Sequence, residues 1–216
     1  MRKTIRYTCF LLLLTAVACR EEKSTERPYD PTGNMDYQPV KKGASWQYVS
    51  AQSSDTLSMQ ATGEQTTRDG ISYFAFTMST ADSSWTGYMG KSGVDYYLLN
   101  SFFPPDFISG PLLYLKDGSP ADSSWTQRLS YKGIGGTAQF VILDREISLQ
   151  VGSQTFPQVV HVQMNLAPDY LPPGFPAETT LTADYYIARD VGIVYMVIRA
   201  GGVKVEETRL VDYEIP

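Results

Sequence analysis

The sequence is poor in the residues on which catalysis and metal binding most often rely. Its 216 residues hold one histidine, His161, and two cysteines, Cys9 and Cys19. A single imidazole leaves little for His-based acid–base chemistry, and two thiols leave no material for a disulfide framework or a Cys-rich zinc site. Charge is scarce, at 19% of residues, and acidic on balance: 18 Lys and Arg against 23 Asp and Glu, net −5. That balance presents no basic face to a nucleic acid. The uncharged stretch from Tyr7 to Ala18 falls short of the roughly 20 apolar residues of a membrane-crossing helix. What the chain does have is apolar and aromatic material, 43% and 12%. This suffices for one sizeable core, excludes a disordered chain, and is short for two independent domains.

The first residues read as an address. Arg2, Lys3 and Arg6 precede an uncharged stretch from Tyr7 to Ala18 that includes Leu11–Leu14. A basic start, an apolar middle and a small-residue end make a secretory signal. The sequence Thr15-Ala16-Val17-Ala18-Cys19 resembles the lipobox of bacterial lipoproteins, in which the Cys is lipidated and becomes the mature N-terminus. An ordinary signal peptide cleaved after Ala18 is the alternative. The expected organisation is therefore a lipoprotein signal peptide over 1–18, a lipidated Cys19 with a flexible linker over 19–38, and a β domain over 39–216. Cleavage removes three of the 18 basic residues and none of the acids, leaving 15 against 23, net −8. More than one acyl chain on Cys19 would give stable anchoring. The polar segment from Arg20 to Gln38 would reach about 24 Å as a flexible coil. Its Cys-Arg-Glu-Glu start resembles the acidic surface-export signal of Bacteroidetes lipoproteins, so the periplasmic face and the cell surface both stay open.

From Trp46 onward the pattern is alternation, not helical period, and it predicts about a dozen short strands. Phe74, Phe76 and Met78 share one face of one run, opposite Tyr73, Ala75 and Thr77. Val160, Val162, Met164 and Leu166 share a face of another, opposite His161, Gln163 and Asn165. Asp69-Gly70 and Asp117-Gly118 read as turns. A long antiparallel meander must close or cover its edges, so the expected fold is all-β: a single antiparallel, strongly curved sheet forming a barrel or half-barrel. Ala81-Asp82-Ser83-Ser84-Trp85-Thr86 recurs as Ala121-Asp122-Ser123-Ser124-Trp125-Thr126, and Val40-Lys41-Lys42-Gly43 through Trp46 is echoed from Leu115 to Trp125. Each Trp is expected to follow a polar turn into a strand and to pack in the core.

Several segments resemble TapB-like envelope lipoproteins. Pro39-Val40-Lys41-Lys42-Gly43-Ala44-Ser45-Trp46-Gln47-Tyr48 is similar to their opening, and Asp69-Gly70-Ile71-Ser72-Tyr73 to their Asp-Gly-x-x-Tyr step. Val151 to Val160, Tyr185 to Val194 and Thr208 to Tyr213 complete the likeness across most of 39–213. Asp190 stands where that family usually has Gly, and Tyr195 where a Lys follows. The resemblance implies an antiparallel half-barrel shaped like lipoprotein carriers and lipocalins, with no shared catalytic residues. Gly192 within an apolar strand suits a bend or a close backbone pass.

Catalytic constellations are sparse. His161 is expected on the polar face of a strand, at the surface or rim, with no Gly-x-Ser-x-Gly elbow in the chain. Asp144 with Glu146, and Glu206 with Glu207, are the nearest carboxylate pairs; the first reads as a solvated hairpin. Gly133-Ile134-Gly135-Gly136 lacks the setting of a phosphate loop. Asp55-Thr56-Leu57 fits a short O-glycosylation acceptor pattern. Two Pro-Pro loops stand out, Phe102-Phe103-Pro104-Pro105-Asp106-Phe107 and Tyr170-Leu171-Pro172-Pro173-Gly174-Phe175-Pro176. Their bulky groups either plug an open end of the half-barrel or form a binding rim, with Phe102, Phe103, Phe107, Tyr170, Leu171 and Phe175 as candidate ligand-binding residues. The expected protein is a non-enzymatic, monomeric outer-membrane lipoprotein, using no metal or cofactor and binding no nucleic acid. Its partners would be the membrane, through Cys19, and an apolar small molecule, lipid or envelope protein held in the concavity. A surface glycan-binding or adhesion module and an accessory subunit of an outer-membrane assembly are the alternatives.

Overall fold

The computed structural model describes residues 37–100, 102, 108–131, 134–169 and 180–216. Among them there is no helix, and thirteen strands form one antiparallel sheet, as the alternation predicts. They are β1 (Ser45–Ser50), β2 (Thr56–Arg68), β3 (Ile71–Ser79), β4 (Ser84–Ser92), β5 (Asp95–Leu99), β6 (Ile108–Ser109) and β7 (Leu112–Lys116), followed by β8 (Ser124–Tyr131), β9 (Ile134–Val151), β10 (Gln154–Pro168), β11 (Leu181–Ala188), β12 (Gly192–Ala200) and β13 (Val203–Glu214). The order across the sheet is β6-β8-β9-β10-β11-β12-β13-β1-β2-β3-β4-β5-β7.

The sheet's two ends are joined by the chain itself. β6 and β7 lie at opposite edges, yet only Gly110 and Pro111 separate them. That connection spans about 10 Å at full stretch, so the sheet must curl until its edges meet. Side chains lace the seam. The Gln127 amide on β8 accepts from Leu113 N–H at 3.0 Å and donates to the Pro111 carbonyl at 3.3 Å, and Trp125 Nε1 donates to the Leu113 carbonyl at 3.1 Å. Farther along, Arg145 on β9 grips Asp117 Oδ1 at 3.0 Å and the Asp117 carbonyl at 2.9 Å. One glutamine thus does for β7 what a neighbouring strand would do, and the exposed ladder edge is capped.

Antiparallel hairpins put alternate turns at opposite ends of the barrel. At one end the interior is filled. Trp46, Tyr114, Phe76 and Phe140 are fully buried there, and Tyr37 and Gln38 are buried with them. Composition assigns Tyr37 and Gln38 to the linker, but the folded body includes them. Tyr37 N–H donates to Tyr96 Oη at 3.3 Å, and Gln38 Oε1 accepts from Tyr114 Oη at 3.2 Å. Burial, with Asp117 nearby, pushes the Tyr37 phenol up to about 12. Gly192, with φ +105, makes room for this plug: a Cβ there would lie 3.2 Å from Gln38 Oε1. Gly192 therefore marks a close pass.

Each Trp is the second residue of its strand, after a polar turn, and each indole N–H donates to a backbone carbonyl: Val191 for Trp46, Asn100 for Trp85, Leu113 for Trp125. The Ala-Asp-Ser-Ser-Trp-Thr echo is local only. β4 and β8 run in opposite senses across the barrel, so the two copies start at opposite ends. The Asp144–Glu146 segment is not a hairpin. It is a bulge within β9, where Glu146 takes φ +56 opposite the irregular stretch of β10 that holds Pro157 and Gln158, the latter also at φ +56. A bulge lets two long strands bend round the barrel and accommodates a proline that cannot donate to the ladder.

Candidate functional site

At the other end the barrel is hollow. A cavity of about 640 Å³ opens there, within the range of small-molecule sites, about 300–1,000 Å³. The inward phase of each strand supplies its wall. From β10 come Met164 and Leu166, from β11 Leu181, Ala183 and Tyr185, and from β12 Met196 and Ile198; Leu57, Trp85, Leu129 and Tyr48 add to the apolar surface. The Val160-Val162-Met164-Leu166 face read from the sequence is therefore inward throughout, packed core at its first half and cavity wall at its second. Hydroxyls and carboxylates gather toward the mouth: Ser50, Asp55, Thr56, Thr80, Ser83, Glu206 and Thr208. Thr56, the candidate glycosylation residue, is exposed at this rim.

Two tyrosines set the electrostatics of the wall. Tyr48 is fully buried and its hydroxyl donates to the Ile193 carbonyl at 2.9 Å. Tyr185 is equally buried, but its hydroxyl has no hydrogen-bond partner among the described residues. Burial pushes both phenols far above their ordinary range, so both stay neutral.

Of the six candidate ligand-binding residues, Phe102 lies within the described residues. It lines the cavity and meets Tyr48 edge-on, with ring centroids 5.1 Å apart. Phe103, Phe107, Tyr170, Leu171 and Phe175 lie outside the described residues, as does Cys19. The described residues flanking both Pro-Pro segments, Phe102 on one and Leu166 and Leu181 on the other, line the cavity. Ala183, Met196 and Ile198 carry no signal of their own in the sequence, and Glu206 stands there only as half of a carboxylate pair with Glu207. The signal for Glu206 was present: it shares a face with Thr208 and Leu210, the inward phase of the last strand, where a carboxylate is out of place in a dry core.

His161 sits elsewhere, on the outer face, with the sheet between it and the cavity. It is on the polar face expected for it, but packed in a polar cluster rather than open at the surface or rim, its side chain 13% exposed. Its Nε2 lies 3.0 Å from Asp184 Oδ1, which also accepts from Gln163 Nε2 at 3.0 Å, and Arg199 holds the second oxygen. Asp144 Oδ2 stands 3.5 Å from Nδ1, and Tyr186 stacks on the imidazole with centroids 4.2 Å apart. Burial pushes the Asp184 carboxyl up, but hydrogen bonds from His161, Gln163 and Arg199 together hold it below its usual 3.8. Beyond this cluster Tyr195 Oη donates to Glu207 at 2.9 Å, and burial with that carboxylate raises the Tyr195 phenol to about 12. Glu206 and Glu207 thus face opposite sides of the sheet and form no catalytic pair. The polar cluster spans four neighbouring strands and ties them from outside.

No protein-family model and no curated protein matches the chain. Two solved structures are similar to it. One is described as "a putative lipoprotein" from Parabacteroides distasonis, 15% identical, with a TM-score of 0.51, covering 83% of this chain and 99% of its own. The other is described as "a putative exported protein with YmcC-like fold" from Bacteroides fragilis, 12% identical, with a TM-score of 0.53, covering 82% of this chain and 97% of its own. At these identities the likeness establishes the fold the chain shares with both: one coiled antiparallel sheet.

Proposed function

We propose that this chain is a non-enzymatic cell-envelope lipoprotein that holds an apolar small molecule or lipid inside its barrel. The observation that carries the reading is the cavity of about 640 Å³, walled by Leu, Met, Ile and aromatic side chains and open at one end. Water in such a site is poorly satisfied, and an apolar guest releases it. The signal-like segment 1–18, Cys19 and the polar tether support attachment to a membrane, and the descriptions of the two similar structures, a lipoprotein and an exported protein, fit an envelope location. A glycan platform has less support, since the indoles of Trp46 and Trp125 are buried and Trp85 faces the cavity.

Native mass spectrometry on protein isolated from its own host tests the proposal. A one-to-one adduct of lipid mass is expected; an empty monomer in repeated preparations contradicts the reading. The anchor is separately testable. Cys19→Ala should release the protein from the membrane fraction, and its retention there would remove the lipid from the account.

A further inference from the structure

The chemistry of the mouth narrows the guest. On the reading that the cavity binds an apolar molecule, we infer that its ligand is an amphiphile with an uncharged, hydroxylated or cationic end, not one ending in a carboxylate, phosphate or sulfate. Among the described residues that line the cavity there is no Lys, Arg or His, while Asp55 and Glu206 both reach it. The Glu206 carboxylate is half-buried beside Thr208, whose hydroxyl donates to it at 3.3 Å. Ser50, Thr80 and Ser83 add hydroxyls that serve equally as donors and acceptors. An apolar chain seated on Met164, Met196 and Ile198 would bring its polar end to this ring. There an anion meets like charge in a partly desolvated setting, which screening by salt relieves only in part.

The test uses the chain from Cys19 onward with the neutral fluorophore N-phenyl-1-naphthylamine as reporter, at low ionic strength. Competitors share one dodecyl tail and differ at the head: dodecyl maltoside, dodecyltrimethylammonium and dodecanoate, each below its micelle concentration. The first two should displace the fluorophore at concentrations about tenfold lower than dodecanoate. In the Asp55→Asn/Glu206→Gln double variant dodecanoate should become about as effective as the maltoside. That change separates the rim carboxylates from the overall negative charge of the protein, which the variant largely keeps. Dodecanoate binding as tightly as the others in the unsubstituted protein would overturn the inference while leaving the cavity a binding site. Failure of the fluorophore and all three competitors to bind would overturn the underlying reading as well.

Discussion

Tyr185 is the residue whose environment departs most from ordinary packing. Its hydroxyl is buried and unpaired among the described residues, so Tyr185→Phe removes a desolvated donor and little else. The variant should be more stable than the parent by about 1 kcal/mol, measured by urea unfolding of ligand-free protein; a loss of similar size would mean that the hydroxyl has a partner. Asp184 makes the opposite case. Its folded carboxyl is held below 3.8 by three donors, so it contributes stability that is complete above its unfolded value and disappears as pH falls through the folded one. Asp184→Asn should be less stable at neutral pH and show a flatter stability profile below about pH 4, read from thermal melts across that range. Asp190 shows how a residue other than Gly can hold a left-handed turn position. It takes φ +60 in the turn before β12, a conformation natural to Gly and open to Asp at modest strain.

The element most exposed to failure is β7, whose outer edge has a glutamine in place of a strand. Gln127→Ala deletes its hydrogen bonds to the Leu113 N–H of β7 and to the Pro111 carbonyl just before that strand. The expected cost is about 2 kcal/mol, with faster amide exchange at Leu113 than at its neighbours on β5; unchanged protection there would show that the seam does not depend on this side chain. The strands themselves were legible in the sequence because alternation survives wherever one face is wet. Val160 to Leu166 is the clearest instance. Three things were not legible. Tyr73 and Ala75 are buried on the supposed outer face, because Gly90 opposite lets Ile71 and Tyr73 close over it. The bulge at Glu146 hides in a run that reads as a turn, since an αL residue signals either. Tyr37 and Gln38 carry no periodicity, and only the open barrel end explains why they are inside.

For the whole molecule, closure and hollowness are separate properties, and they were unequally visible. The need to close follows from any long meander, so a barrel could be expected. Whether its interior is full depends on side-chain volumes summed across many strands that are distant in sequence. At the filled end Trp46, Phe76, Tyr114 and Phe140 meet. At the other end Ala183 occupies the corresponding inward phase of β11, and Ser, Thr and Glu line the approach. No single strand announces that difference. The polar cluster round His161 was half visible: its face was predicted, but the convergence of Asp144 and Asp184 upon it requires the pairing of β9, β10 and β11.

The central claim is that the space beside Ala183 exists to be occupied. Ala183→Phe fills it from the wall with an apolar ring, so native mass spectra of the parent and the variant, isolated side by side from the same host, compare occupancy directly. The account predicts a bound guest on the parent and an empty, equally folded variant. Equal occupancy of both, or an empty parent, would contradict it.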